Sequence, residues 1–439
     1  MMTGQYSLPW GSEMLTFDLP PQWEVLGSFS PDGDLPPVDP TEEAARSLQQ
    51  PLGSARLGEL AKNKRHIALV IDDGSRPTPV ARILPAVIEE LTAAGIDLAN
   101  IRVLPALGVH RPMSWDEVNT RLGSGYLEQM KLVQHECDNP AELAYLGTTQ
   151  RGTPVKVNRH LVEADLIISI GCIEPHIIAS FGGGYKNLIP GLASRETIAH
   201  NHALNCRPDT FNMVGQPIEQ NPMRLDLEEA ARMIKVPVFI INAVLNSQLQ
   251  TIRIVCGDPV AAHRQGAQIS AAIYGVPIPS RAEVVITASY PMDQDLRQGV
   301  KALANTIRAL QPGGVMITSV RAEEGLGVFG LANRKLPLGK NALRALAPVL
   351  LPLVPHLKLK GMGEEDKFFL YFALQAMRSG TLLMFAPSIP PEIHERLPFV
   401  TFVENIPQAI RTAEQRFPNK ARVLIFPQGG MTYPILPAA

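Results

Sequence analysis

From Arg65 onward the chain alternates short, continuous apolar runs with longer stretches of helical period. "HIALVI" (66–71) and "ADLIISIG" (164–171) are apolar on both faces, as strands inside a parallel sheet are. Between them, "VARILPAVIEELTAAG" (80–95) repeats its apolar residues at helical spacing and stops at a glycine. "IRVLPAL" (101–107) reads as a further strand and "SWDEVNTRLG" (114–123) as a short helix. "VPVFIINAVLN" and "TIRIVCG" (236–257), separated by a short polar turn, read as a hairpin at the edge of the same sheet. Strands alternating with helices predict an α/β domain with a mostly parallel sheet.

The pattern restarts after "YGVPIPSRAE" (274–283), where two prolines separate a helix from a new strand. A second α/β series follows, with strands at "VVITAS" (284–289), "GGVMITSV" (313–320), "TLLMFA" (381–386), "FVTFV" (399–403) and "ARVLIFP" (421–427). Helices are expected near 293–310, 340–352, 363–378 and 406–415. The expected organisation is an N-terminal domain over 1–278 and a C-terminal domain over 279–439, with the active-site cleft between them. The last residues are expected to pack back on the first domain. Residues 1–55, rich in Pro, Gly and Asp, read as an extended wrap around that first domain. No internal repeat and no low-complexity segment interrupts this plan.

Composition narrows the function classes. With 439 residues the chain is too long for one ordinary core, and 45% hydrophobic against 19% charged residues describes a well-buried protein. A net charge of -2 and the lack of any basic run argue against nucleic-acid or anionic-membrane partners. No stretch of about 18 apolar residues could span a bilayer, and the N-terminus reads as no secretion signal. Four cysteines without a CxxC pair fit reduced thiols, so a cytoplasmic enzyme is expected.

In an open α/β sheet, ligands bind beyond the carboxyl ends of the strands, and the polar residues gather there. After 66–71 comes "DDGSRPTP", with Asp72, Asp73, Ser75 and Arg76; after 101–107 comes "GVHRP", with His110 and Arg111. After 164–171 comes "CIEPHIIASFGGGYK", with His176 and, behind three glycines, Lys186; "HNH" then carries His200 and His202. After 284–289 comes "YPMDQDLRQGVK", with Asp293, Arg297, Gln298 and Lys301. Each piece has an ordinary reading beside the functional one. Gly-Gly-Gly-x-Lys lacks the Gly-Lys-Ser/Thr of a Walker A loop and would serve as a mobile turn. A lone histidine is commonly a structural hydrogen-bonding group, "DDGSRP" could be a turn whose aspartate caps the following helix, and Gln298 and Lys301 could face solvent. His200 and His202 lie two apart, so on a helix they point in different directions and do not share one metal.

Taken together, "DDGSRPTP", "LGVHRP", "EPHIIASFGGGYKNLIPGLASRETI" with "HNH", and "YPMDQDLRQGVKAL" resemble, in order and spacing, the nickel-pincer-nucleotide lactate racemase family, which includes racemases and epimerases of other 2-hydroxy acids. The resemblance implies nickel held in a sulfur–carbon–sulfur pincer by pyridinium-3,5-bisthiocarboxylic acid mononucleotide, joined covalently to Lys186. It implies that Gly183 and Gly184 let the backbone approach this cofactor, that Ser75 and Arg76 hold its phosphate, and that Asp73 orients Arg76 or a histidine. His202, sixteen residues beyond the lysine, matches the nickel ligand. His110 and His176 match a pair of acid/base groups, one for each enantiomer, and Gln298 and Lys301 match the residues holding the substrate carboxylate. The implied chemistry is reversible hydride transfer, because removing the C2 hydrogen as a proton would create a dianion beside the existing carboxylate. The implied partners are a small 2-hydroxy acid and the proteins that build the cofactor.

Two departures stand out. Where the lactate enzymes carry tyrosine before the glutamine, this chain has Arg297, and Trp10, Trp23 and Trp115 leave no tryptophan beyond 278. Arg297 therefore either faces solvent or contacts a larger or doubly anionic 2-hydroxy acid. The competing functions are a non-catalytic nucleotide-binding protein of the same fold and a zinc hydrolase using His176, His200, His202 and Asp73. The latter lacks an H-E-x-x-H motif.

Overall fold

"IALVID" and "LIISIGC" are buried at every position, and this is what makes them the centre of a sheet covered on both faces. The structure of the chain is a computed structural model, which describes residues 5–31, 35–123, 125–327, 329–333, 336–357 and 364–437. It is a mixed α/β protein with mostly parallel sheets. Its residues group into two units, Gly33–Leu204 with Gln216–Ile273, and Met1–Asp32 with Asn205–Gly215 and Tyr274–Ala439.

The main sheet of the first unit has six strands in the order Thr251–Gly257, Val238–Leu245, Leu166–Cys172, Ile67–Asp72, Ile101–Ala106 and Lys131–Leu132. All neighbours run parallel except the edge strand Thr251–Gly257, which returns antiparallel as the expected hairpin. The helix Val80–Ala93 lays Val80, Ile83, Leu84, Val87 and Leu91 into the core beside the sheet, the spacing of one helical stripe. The helix Trp115–Leu122 opens with a capping box in which Ser114 and Glu117 satisfy each other's backbone amides.

The second unit holds a six-stranded parallel sheet in the order Thr401–Val403, Gly380–Phe385, Leu310–Ser319, Ala282–Ala288, Arg422–Phe426 and Glu24–Ser28. Its edge strand comes from the N-terminus, against the expectation of an extended wrap around the first domain. Tyr6–Trp10 and Glu13–Phe17 form a hairpin whose Leu8 and Phe17 enter the core of this unit with Trp23, Val284 and Ile286. Residues Pro40–Gln49 are helical rather than extended, capped by Asp39 with Pro40 in the first turn, and they bury Ala44 and Leu48 in the first unit. The final strand Tyr433–Ile435 pairs with Gly275–Pro277 within the second unit. Among the described residues, no helix is long and apolar enough to cross a membrane.

Candidate active site

Three adjacent parallel strands of the first unit end at one edge of the sheet and release the loops that begin at Asp73, Leu107 and Ile173. The Asp73 loop is held by its own side chains. Asp73 Oδ1 accepts hydrogen bonds from the Ser75 amide (3.0 Å) and the Ser75 hydroxyl (2.5 Å). Its other oxygen, Oδ2, meets His110 Nδ1. Burial raises the Asp73 carboxyl, but the bonds from His110 and Ser75 outweigh this and hold it well below the usual carboxylate range. The aspartate therefore orients the half-exposed His110, fixing a proton on Nδ1 and leaving Nε2 as the acceptor of the neutral ring.

Arg76 Nη1 pairs with Glu174 from the neighbouring loop. Asp72, the last residue of its strand, is buried and structural: it accepts from Thr78 and pairs with Arg121. The helix that follows starts at Val80 and has no side-chain cap, so neither aspartate serves it. Arg111, also at a strand end, is exposed and pairs with Glu117.

His176 lies on a two-residue ladder, Pro175–His176 against Ser180–Phe181. Its Nδ1 accepts the Ile178 and Ala179 amides, each at 3.2 Å, so the neutral ring carries its proton on Nε2. As oriented here, His110 is a proton acceptor and His176 a hydrogen-bond donor.

Lys186 sits in a single 3-10 turn, Gly184–Asn187. Gly183 and Gly184 adopt φ +74° and +64°, a region that side chains rarely enter. Space is also closed to them: a Cβ on Gly183 would lie 2.6 Å from Ile173 and 2.7 Å from Asn242 Oδ1. One on Gly184 would press on the His263 ring at 3.0 Å. The amides of this loop are used internally, Gly182 on Glu174 O (2.7 Å) and Gly184 on Asn242 Oδ1 (2.8 Å). The glycines thus serve packing and backbone conformation first. Burial and the nearby Arg76 and Arg224 charges push the half-buried Lys186 amine down to about 7. Among the described residues no hydrogen bond or salt bridge engages that amine.

Residues 10–212 match the model of the lactate racemase N-terminal domain. Lactate racemase of Lactiplantibacillus plantarum is 33% identical over 66% of this chain and 68% of its own length. The chain belongs to the lactate racemase family. Lactate racemase of Thermoanaerobacterium thermosaccharolyticum is 28% identical over 96% of this chain and 97% of its own length. The structure of that lactate racemase apoprotein superposes with TM-score 0.84 at 26% identity, covering 99% of this chain and all, 100%, of the other.

Lactate racemases are isomerases, and the remaining expected site residues of this member can be placed one by one. His202 is half-buried and His200 exposed on the helix Arg195–Ala203, so the two do diverge. Among the described residues no group of three or more His, Cys, Asp or Glu side chains could hold a metal. In the second unit, the helix Leu296–Thr306 is capped by Asp295 and carries Arg297, Gln298 and Lys301, all half-buried. Arg297 is not a solvent-facing residue: its guanidinium lies over the Phe369 ring, 6.0 Å from the centroid. Gln298 Oε1 is buried and has no hydrogen-bond partner among the described residues. Arg224, His263 and Asn242, which shape the lysine loop, escaped the sequence reading. Two lie on amphipathic helices and the third is mid-strand, away from the strand ends.

Proposed function

We propose that this racemase-family chain interconverts the configurations at C2 of a 2-hydroxy acid, lactate-like or larger, using a nickel-pincer nucleotide joined to Lys186. The carrying observation is Lys186: a half-buried amine lowered to about 7, with no bond to satisfy it among the described residues. A fraction of such an amine is uncharged at neutral pH, as attack on an acyl carbon requires. The donor set fits the same group. His202 offers one imidazole, and a nickel held by one protein ligand takes the rest from the molecule that carries it. Of the Arg76 guanidinium only Nη1 is engaged among the described residues, which leaves donors for a phosphate. Ser75 is exposed beside it.

When bound, the nickel-pincer nucleotide supplies a reversible acceptor for the C2 hydrogen with its electron pair. The chain's residues handle the proton. His110 Nε2 takes the hydroxyl proton of one enantiomer, and Asp73 steadies the imidazolium that forms. His176 serves the opposite face, donating from Nε2; to accept there it must release the Ile178 and Ala179 amides. Carboxylate recognition falls to Lys301 and to the Nε2 donor of Gln298, while the buried, unpartnered Gln298 Oε1 is an acceptor that a ligand hydroxyl could satisfy. This last assignment rests on the family resemblance. The implied partners are the cofactor-building proteins, and the expected setting is the cytoplasm.

The test is intact mass and nickel content of protein made together with those cofactor-building enzymes. The expected result is a mass increment on the Lys186 peptide, about one nickel per chain as one pincer site requires, and racemisation of a 2-hydroxy acid. An unmodified Lys186 under these conditions would overturn the tether and move the non-catalytic nucleotide-binding reading to first place.

A further inference from the structure

The loop that carries Lys186 contains three consecutive glycines, so no side chain of its own can hold its shape across 182–184. Its carbonyls are held from outside instead. Asn221 Nδ2 donates to Ile178 O at 2.8 Å, and His263 Nε2 lies 2.9 Å from Gly182 O. Arg224, fully buried on the helix Pro222–Arg232, reaches the others: Phe181 O through Nη2, Gly183 O at 3.2 Å, Ala179 O at 3.4 Å and Gly182 O at 3.5 Å. A planar guanidinium with five donors is the side chain that can fan over several carbonyls at once, which a lysine ammonium cannot.

The charge state of this arginine is the second observation. A buried cation is ordinarily paired with a carboxylate. Among the described residues Arg224 has no salt bridge; Glu228, the acid that acts on it electrostatically, is gripped by Arg264 with Nη1 at 2.7 Å and Nη2 at 3.1 Å. Arg264 Nη1 also faces His263 Nδ1 at 3.1 Å, and His263 Nε2 lies between Gly182 O at 2.9 Å and Arg224 Nη2 at 3.1 Å. His263 lies far below its ordinary value through burial and the two arginines, and so adds no charge. The groups within electrostatic reach of the Lys186 amine are then Arg76 and Arg224 on the positive side and Glu174 and Asp73 on the negative. Arg76 is paired with Glu174 and Asp73 accepts a hydrogen bond from the neutral His110 ring, whereas Arg224 lies against carbonyl dipoles and feels Glu228 only at a distance.

We propose that Arg224 is the positioning residue of Lys186: it locks the glycine loop through its carbonyls and sets a positive charge near the amine that disfavours the ammonium form. This rests on the reading of Lys186 as the attachment point, but its test does not need the cofactor. Apo protein, full chain, is labelled with a trace of acetic anhydride across pH 6–11, and acetylation of the Lys186 peptide is read by mass spectrometry against an exposed lysine such as Lys62. Hydrogen–deuterium exchange over 178–186 is followed in parallel.

In the wild type, Lys186 is expected to label with a midpoint near 7, well below the reference lysine. Arg224→Met removes the charge and the fork, so the midpoint should rise by about one unit and the loop amides should exchange at least tenfold faster. Arg224→Lys keeps the charge and loses the fork: the loop should still loosen, while the midpoint stays within a few tenths of a unit. A purely structural arginine would move exchange in both variants and the midpoint in neither, and that outcome overturns the electrostatic half. Unchanged exchange in the Lys variant overturns the positioning half. Should the Met variant fail to fold, Arg224→Gln replaces it, and an unmoved midpoint there is equally decisive. A normal wild-type midpoint would overturn the proposal whatever the mass of the cofactor-loaded protein shows.

Discussion

His110 Nδ1 and Asp73 Oδ2 form a hydrogen-bonded pair across two adjacent strand ends, and Ser75 holds the other carboxylate oxygen through both its amide and its hydroxyl. The carboxylate can therefore neither rotate nor be traded for another group without releasing the imidazole. Asp73→Asn keeps the shape but offers a neutral amide, which steadies no imidazolium and can fix the wrong tautomer. In cofactor-loaded enzyme we expect kcat to fall by about a hundredfold or more with little change in KM, measured by chiral chromatography of the product.

The same substitution has a pH signature in stability. The folded Asp73 carboxyl lies below its ordinary 3.8, so its contribution is present above that value and is lost as pH falls through the folded one. The Asn variant should be less stable than wild type at pH 7 in urea titrations, with the gap closing below about pH 4. A gap that is constant with pH would show that packing, not charge, is what the substitution removed.

Lys186 follows the opposite sign. Its folded value near 7 lies below the ordinary 10.5 of a lysine, so the folded state is penalised fully below pH 7 and not at all above pH 10.5. Lys186→Met should raise the thermal midpoint of apo protein at pH 7 by a few degrees, and the advantage should fade as pH approaches 10.5. The same variant should acquire no cofactor. Stability gained where attachment is lost is the mark of a functional, strained position rather than a core one.

Gly183 tests what the glycine run is for. At φ +74° and with Ile173, Asn242 and Cys172 O all within 2.9 Å of its would-be Cβ, Gly183→Ala should cost about 3 kcal/mol or more. Gly95 is the control: φ is +86°, but nothing lies within 4 Å, so Gly95→Ala should cost only about 1 kcal/mol. Equal losses in the two variants, measured by denaturant unfolding, would mean that backbone conformation alone requires the loop glycines.

What could be read from the sequence follows from where each signal is local. Ile67–Asp72, Leu166–Cys172 and Ala282–Ala288 are continuous apolar runs, and Val80–Ala93 has a clean stripe, so their register along the chain needs no tertiary knowledge. The strand-end rule then picked out Asp73, His110 and Lys186 before any contact between them was known. The strand Glu24–Ser28 was missed because its partner, Arg422–Phe426, comes only about four hundred positions later, and the N-terminal hairpin because its two strands are runs of five residues, the first broken by Pro9. Arg224 and His263 were missed for a related reason. On a helix surface an arginine or histidine reads as solvated, and nothing local says that the facing surface is a row of backbone carbonyls.

Arg297 is where this chain should differ from the lactate enzymes it resembles. It is half-buried over Phe369, and a guanidinium stacked on a ring keeps its positive charge, which attracts an anion. A second carboxylate on the substrate would supply that anion. In cofactor-loaded enzyme we expect kcat/KM for a doubly anionic 2-hydroxy acid such as malate to exceed that for lactate by about tenfold or more, since a desolvated charge pair contributes on this scale. Arg297→Tyr should invert the preference, lowering kcat/KM for the dianion and sparing lactate. If lactate is the best substrate of the wild type, or if the variant weakens both acids alike, Arg297 serves the packing of its helix against Phe369, and selection among 2-hydroxy acids is made by other residues.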